Sequence, residues 1–296
     1  MRIEGRTAII TGASSGIGRE TARELAGRGA NIILAARHRQ RLEAVAADIA
    51  PLRGRCLVVP TDVTDRLATE ALVRRTMEEF GGVDILVNNA GVGLFAPIAG
   101  GSLENARRLF DVNFWGAIHC IQAVVPYMRS QRRGHIVNVS SVAGRIAPPY
   151  MGIYSATKFA LTAVSDALRN ELAGSSIGVS TVFPGLTESS FQDNMLREVD
   201  VPTIPPAARL VTASAAAVAR RIAQAIRWNL RDVYVSPGDL AAVGLNAVAP
   251  YVVDWGMRAL WLGLGPRERP EPSPPAPAST PPEPSPANAE PPAESA

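Results

Sequence analysis

Short aliphatic and β-branched runs alternate along the chain with longer stretches whose apolar positions recur every three or four residues. The runs lie at 7–11, 31–35, 56–59, 83–87, 135–139, 179–183 and 233–236, and each has the length of a buried strand. Between most of them lie amphipathic stretches, such as 66–80 and 103–128, which read as helices. Strand and helix alternating at this spacing predict a parallel sheet with helices on both faces. Right-handed crossovers make it a doubly wound α/β fold with a seven-stranded parallel sheet, in a single domain over residues 1–239. In such sheets ligands bind beyond the carboxyl ends of the strands, so those ends are where chemistry is sought.

The first strand runs into Thr11-Gly12-Ala13-Ser14-Ser15-Gly16-Ile17-Gly18, and a helix follows. Glycines permit a tight turn and close backbone approach, and the helix N-terminus offers free N–H groups to a pyrophosphate. By itself a glycine loop marks only a turn. Placed between the first strand and the first helix, Gly12, Ser14, Ser15, Gly16, Ile17 and Gly18 predict a dinucleotide site. The second strand ends in Ala36 and Arg37, with no acid to hold a ribose 2′-hydroxyl. A cation there suits the 2′-phosphate of NADP(H), so NADP(H) is expected over NAD(H); solvated arginines at a helix start are the alternative. The third strand ends in Asp62-Val63, where a carboxylate can meet an adenine amino group or Asp62 or Thr64 can cap the next helix. The fourth ends in Asn88-Asn89-Ala90-Gly91, whose small residues admit a cofactor and whose asparagines can tie neighbouring strands together.

The fifth strand leads to Ser140-Ser141, and thirteen residues after Ser141 comes Tyr154-Ser155-Ala156-Thr157-Lys158. Tyr154 and Lys158, four apart on a helix, share one face. An ammonium there is expected to stabilise the phenolate and lower the tyrosine pKa, which suits an acid/base near neutral pH. Lys158 is the single lysine among 30 basic residues. Arginine's forked guanidinium does not replace a compact ammonium, so its placement carries weight.

Taken in order, TGASSGIG at 11–18, Asp62-Val63, NNAG at 88–91, Asn113 in DVNFWG, Ser141, YSATK at 154–158 and Pro184-Gly185 resemble the compact branch of the short-chain dehydrogenase/reductase family. The resemblance covers residues 5 to about 240 and implies a Rossmann fold. It implies that Tyr154 gives a proton to a carbonyl oxygen in reduction or takes one in oxidation. Ser141 would hold that oxygen, with Ser140 a rival one residue too far from Tyr154. Lys158 would bind the nicotinamide ribose and Asn113 would order a relay water. Asn89, Ala90, Gly91, Pro184, Gly185 and Thr187 would line the cofactor, with Thr187 at the carboxamide. The family's dimer helices would correspond to 103–129 and 154–172, making a homodimer or homotetramer an expectation.

The expected substrate pocket, near 92–98, 142–151 and 186–212, offers Val92, Leu94, Phe95, Val142, Ile146, Met151, Phe191, Met195 and Leu196, with Arg145, Glu188 and Asp193 as its few charges. A lipophilic aldehyde or ketone and its alcohol are the expected substrate pair, and reduction the expected direction. An alternative is an NADP(H)-bound sensor or scaffold without turnover. A sugar epimerase of the extended branch is disfavoured because it needs a larger C-terminal domain. His38, His119 and His135 are scattered, so neither a metal site nor a hydrolase triad is expected.

Composition refines the picture at the C-terminus. Residues 240–265 form an apolar extension whose charge-free part, 240–253, is too short to span a bilayer. It is expected to pack on the body or a partner subunit, or else to make peripheral membrane contact. Residues 266–296 hold 12 of the 24 prolines and read as a disordered tail. Two of the 30 basic and five of the 27 acidic residues fall there, leaving a body of net charge +6. The whole chain carries only +3, too little to argue for nucleic acid. Two cysteines cannot build a disulfide framework, and the N-terminus reads as a strand rather than a signal peptide, so a cytoplasmic setting is expected.

Overall fold

Adjacent isoleucines in the first strand show how the sheet is built. Ile9 faces one layer of helices and Ile10 the other, and both are fully buried. That is the period-two signature of a strand covered on both faces. The computed structural model describes residues 1–188, 191, 195–199 and 212–264.

The first half comprises β1 (Thr7–Thr11), α1 (Gly16–Gly27), β2 (Asn31–Ala36), α2 (Arg39–Ile49), β3 (Cys56–Pro60), α3 (Arg66–Phe80) and β4 (Ile85–Asn88). The second has β5 (Leu94–Phe95), α4 (Leu103–Phe110), a π-helical turn at Asp111–Trp115, α5 (Gly116–Gln131), β6 (Gly134–Val139) and α6 (Gly152–Glu171). Then come β7 (Ile177–Phe183), β8 (Thr187–Glu188), β9 (Leu196–Arg197), β10 (Ala213–Ser214), α7 (Ala215–Trp228), β11 (Asp232–Tyr234), α8 (Pro237–Val248) and α9 (Pro250–Leu264).

Seven strands form one parallel sheet in the order β11-β7-β6-β4-β1-β2-β3. The chain moves outward from β1 through β2 to β3, then returns to β4 on the other side of β1. The crevice between the carboxyl ends of β1 and β4 is therefore the topological switch point. One face packs Ile10, Leu34, Val87 and Val137 against Leu25 of α1 and Ile222 of α7. The other packs Ile9, Ile33, Leu86 and Ile136 against Leu72 of α3, Val124 of α5 and Leu168 of α6.

All seven expected strands are present, β1 with the expected bounds and the others with ends shifted by one or two residues. Two expectations change. The single helix over 103–128 is two helices joined by the π turn that carries Asn113. Neither Asp62 nor Thr64 caps α3. Asp65 does, accepting the Leu67 and Ala68 amides at 2.8 and 3.3 Å. Asp62 instead accepts the Thr64 amide and hydroxyl at 3.0 and 2.8 Å, which folds the turn upstream of α3. The expected pocket residue Asp193, most of 186–212 and the tail 266–296 lie outside the described residues.

A polar chain crosses the apolar interior beneath the switch point. Asn88 Nδ2 donates to Asn138 Oδ1 at 2.9 Å, and Asn138 Nδ2 donates to Ser165 Oγ at 2.8 Å. It links β4, β6 and α6 side by side. Asn138→Ala removes one buried bond from each neighbour, leaving Asn88 Nδ2 only the Ala117 carbonyl at 3.4 Å and Ser165 Oγ only the Leu161 carbonyl at 2.7 Å, at about 1–3 kcal/mol for each bond lost. The variant is expected to lose roughly 2–4 kcal/mol in urea unfolding, whereas a loss within error would show that the chain does not hold these elements.

Candidate active site

The glycine turn closes on the strand beside it. Gly12 has φ +63°, and a Cβ there would lie 2.9 Å from both Ala90 Cα and Asn89 Nδ2. A Cβ on Gly18 would meet the Gly12 carbonyl oxygen at 2.3 Å, so only glycine lets α1 seat against the turn. Asn89 Nδ2 donates to the Thr11 carbonyl at 3.0 Å, and the Thr11 hydroxyl accepts the Asn89 and Ala90 amides, each at 3.0 Å. The β1 and β4 ends are thus bolted together, and the expectation that asparagines tie the strands holds.

Ser15, at the N-cap of α1, makes no side-chain capping bond, and the first turn holds no acid. The opening amides of α1 face the crevice with the partial positive charge of the helix end. These features fit a dinucleotide pyrophosphate. Arg37, at the end of β2, is exposed and makes no ion pair among the described residues, whereas its neighbour Arg39 pairs with Glu43 at 3.5 Å. Val63 is buried and carries its carbonyl to His119 Nδ1 at 3.0 Å.

Across the switch point, α6 turns one face onto the sheet. Its buried positions, among them Tyr154, Lys158, Leu161, Thr162, Ser165 and Leu168, recur at helical spacing and pass from polar at the N-terminal end to apolar. Tyr154 is 6% exposed. Burial pushes its pKa up to about 12, opposed by a hydrogen bond with Ser141. Lys158 Nζ donates to the Val139 carbonyl at 2.9 Å and lies 5.9 Å from the Tyr154 ring centroid. Burial brings its pKa down to about 8, so it remains largely protonated at neutral pH. The expected lowering of the tyrosine pKa by the lysine is not seen: burial raises it, and Lys158, turned toward a backbone carbonyl, is not among the groups that act on it.

The two serines separate cleanly. Ser140 is buried, and its hydroxyl donates to the Lys158 carbonyl at 3.1 Å and meets Thr162 Oγ1 at 3.0 Å. Ser141, one residue on, faces the other way to Tyr154; its Oγ accepts the Ala143 amide at 3.1 Å and donates to the Pro184 carbonyl at 3.3 Å. Period-two alternation at the end of a strand sends the first to the scaffold and the second to the site.

Asn113 sits on the π turn, a local defect common at functional sites. Its Oδ1 accepts the Val92 amide at 2.8 Å, and its Nδ2 donates to the Val92 carbonyl at 2.9 Å and to Thr157 Oγ1 at 3.1 Å. A Cβ on Gly91 would come within 3.3 Å of Asn113 Oδ1 and 3.6 Å of Lys158 Nζ. Gly91 therefore marks the point where Asn113 and Lys158 converge. Sequence reasoning missed Thr157, which locks Asn113 to α6; its place within YSATK was the available signal.

Pro184 accepts the Val142 amide at 2.9 Å, and Thr187 Oγ1 donates to the Gly185 carbonyl at 3.1 Å. Phe191 lies 5.6 Å from the Tyr154 ring, centroid to centroid. Val92, Met151 and Leu196 pack on the same apolar cluster, while a Cβ on Gly93 would strike Phe191 and Met195. Leu94 and Phe95 are expected pocket residues that lie buried. Leu94 belongs to the packed cluster under Tyr154, and Phe95 stacks on Tyr150 at 5.6 Å. Arg145 is spoken for: it pairs with Asp232 at 3.3 Å and lies over the Phe183 ring. Val142, in the short turn Val142–Gly144, is half-buried beside Ser141.

A glycine cradle at the switch point, opposite a buried tyrosine and lysine on one helix face, defines a nicotinamide-dinucleotide oxidoreductase of the doubly wound class. Residues 6–200 match the family model for short chain dehydrogenases, and the chain belongs to that family. It is 42% identical over 185 residues to a glycine betaine reductase of Emericella nidulans, a match covering 62% of this chain and 15% of that much longer protein. It is 32% identical over 269 residues to a dehydrogenase/reductase SDR family protein 7-like of Anopheles gambiae, covering 86% of this chain and 83% of the relative. Among solved structures, a short chain dehydrogenase/reductase from Burkholderia phymatum in complex with NAD superposes with a TM-score of 0.74 at 29% identity, over 91% of this chain and 99% of that one. A metagenomic short-chain oxidoreductase in complex with NADP gives 0.63 at 30% identity, over 75% and 91%.

The serine assignment has a direct check. Ser140→Ala is expected to lower unfolding free energy by roughly 1–3 kcal/mol with turnover changed only a few-fold. Ser141→Ala is expected to do the reverse, keeping stability and losing most of kcat. Equal effects on turnover would show that the two roles are not divided as described.

Proposed function

We propose that the protein is an NADP(H)-dependent reductase of a lipophilic aldehyde or ketone, with Tyr154 as the proton donor. The convergence of Ser141, Tyr154, Lys158 and Asn113 at the mouth of the switch point carries this reading. When bound, the nicotinamide dinucleotide supplies the hydride that adds to the carbonyl carbon. Ser141 holds the carbonyl oxygen by a hydrogen bond, and Tyr154 gives that oxygen its phenolic proton, so that the alcohol forms. Burial keeps the phenol protonated at neutral pH, which is the state reduction requires. Lys158 would hold the ribose hydroxyls, and its ammonium would offset the phenolate left behind. Asn113, fixed by Val92 and Thr157, orders the water through which a proton returns from solvent.

Several observations support the finer points. The end of β2 has no acid but a cation without an ion pair among the described residues, Arg37, which suits a 2′-phosphate. The glycine turn with Ser14, Ser15 and Ile17, the Asp62-Val63 end of β3, the 89–91 segment and the Pro184–Thr187 segment would enclose the rest of the cofactor. The walls around Tyr154 are Val92, Met151, Phe191, Met195 and Leu196, which favours an apolar substrate that displaces Phe191 on entry. The reading without turnover, a cofactor-bound sensor or scaffold, leaves the whole Tyr154 cluster without a purpose.

The test is NADPH consumption with aliphatic, aromatic and steroid-like carbonyls. Tyr154→Phe is expected to cost about 10²–10⁴-fold in kcat with nucleotide affinity kept. No turnover with any carbonyl, or with the alcohols and NADP⁺ in reverse, would favour the sensor. Arg37→Asp is expected to weaken NADPH binding far more than NADH binding, measured by fluorescence titration; equal losses would refute the 2′-phosphate contact.

A further inference from the structure

The two C-terminal helices are built inside out. In α8 the half-buried positions are Asp239, Val243 and Asn246. Its two polar side chains thus face the protein: Asp239 accepts the Ser236 amide at 3.0 Å, and Asn246 Nδ2 donates to the Arg145 carbonyl at 3.3 Å. The exposed positions from 240 onward are Leu240, Ala241, Ala242, Gly244, Leu245, Ala247 and Val248, and none is polar. No residue of α8 is buried. On α9 a stripe of Val253, Met257 and Trp261 faces the body, while Tyr251, Trp255 and Leu262 are 86, 73 and 89% exposed. Only Asp239, Asp254 and Arg258 carry charge in the whole segment 237–264.

We propose that this hairpin is a membrane-docking element that enters one leaflet of a lipid bilayer. A helix packed on one protein partner needs one apolar stripe, whereas α8 is apolar on every side it exposes, which suits a medium that surrounds it. No single helix among the described residues is long and apolar enough to cross a membrane. At 12 residues α8 is about 18 Å long, short of the ~30 Å hydrocarbon core. The pair Pro237–Val248 and Pro250–Ala259 has membrane-like composition but bends by 116°, the shape of an element that dips in and returns. Tyr251 and Trp255 have the amphipathic rings that settle at headgroup level, and Arg258 can reach phosphate while its stem stays in the apolar layer. The all-round apolar exposure of α8 decides between lipid and a second copy of the chain, because a second copy covers one side of a helix and a bilayer surrounds it.

The hairpin also adjoins the catalytic cluster. Trp261 stacks on Tyr150 with centroids 5.0 Å apart and lies 5.9 Å from Phe95, and Tyr150 lies four residues before Tyr154, just ahead of α6. Asn246 holds the carbonyl of Arg145, just past the turn that follows Ser141. A docked hairpin therefore brings the rim of the substrate site to the lipid surface. A lipophilic substrate would then arrive from the bilayer, a consequence that rests on the reductase reading; docking itself does not.

The experiment is flotation of the full-length protein with vesicles of equal parts phosphatidylcholine and phosphatidylglycerol, read beside Trp emission. The protein is expected to float, with phosphatidylcholine alone as well, and the emission to shift to the blue, with the shift reduced in Trp255→Phe. Leu245→Glu with Val248→Glu is expected to cut partition by roughly tenfold or more, with NADPH affinity unchanged as proof of folding. The Trp255 signal tests docking even if that double variant fails to fold. Wild-type protein that neither floats nor shifts its emission overturns the proposal. So does a solution dimer that the double variant splits into monomers without any vesicle binding, since a second copy would then be the partner of this face.

Discussion

Everything at this site hangs on the contact between the carboxyl end of β6 and the first two turns of α6. Lys158 is its hub. Its ammonium donates to the Val139 carbonyl, and its own carbonyl accepts from the hydroxyls of Ser140 and Thr162. A Cβ on Gly144 would lie 3.0 Å from that same carbonyl, so the turn after Ser141 must run tight against the helix. A buried ammonium has a steep desolvation cost, and these bonds offset it while fixing the helix in one place. Tyr154, one turn back, is positioned as a result. The same scaffold continues inward through Asn138 and Ser165 and sideways to Asn88, so one polar seam in an apolar interior sets the relation of three elements.

The seam explains why the two halves of the site meet. The glycine turn is held to β4 by Asn89 and Thr11, β4 to β6 by Asn88 and Asn138, and β6 to α6 by Ser140 and Lys158. On the proposed reading, a dinucleotide at the switch point and a carbonyl at Ser141 would thereby share one scaffold. Pre-organisation of this kind lowers a barrier by removing orientational freedom before the reaction begins. On the proposed reading Tyr154 is the proton donor, and burial raises the pKa of the phenol that would release its proton as charge develops on the carbonyl oxygen.

Much of this was legible in the sequence, because strand periodicity and the spacing of glycines depend on local geometry. β1 and α3 have the expected bounds, and the sheet has the expected seven strands. The π turn was not legible, since a one-residue widening of a helix leaves the apolar period over 103–128 almost intact. The capping role of Asp65 over Asp62 was hidden because both acids stand at plausible spacing. The division of labour between Ser140 and Ser141 was read from spacing alone, and the structure adds its cause in strand alternation. The direction of the Tyr154 shift was misread, because the pairing with Lys158 is visible in the sequence and the depth of burial is not. The outward apolar face of α8 was equally hidden, because composition cannot say which side of a helix meets the protein.

The most direct measurement of the central claim follows a label rather than a rate. The protein is given NADPH carrying deuterium at nicotinamide C4, in each of the two stereochemical positions, together with a lipophilic ketone, and the product is analysed by mass spectrometry. The account predicts that one of the two labelled nucleotides delivers its deuterium to the carbinol carbon of the alcohol. Nucleotide that binds tightly at the switch point yet never passes its label to any carbonyl would contradict it.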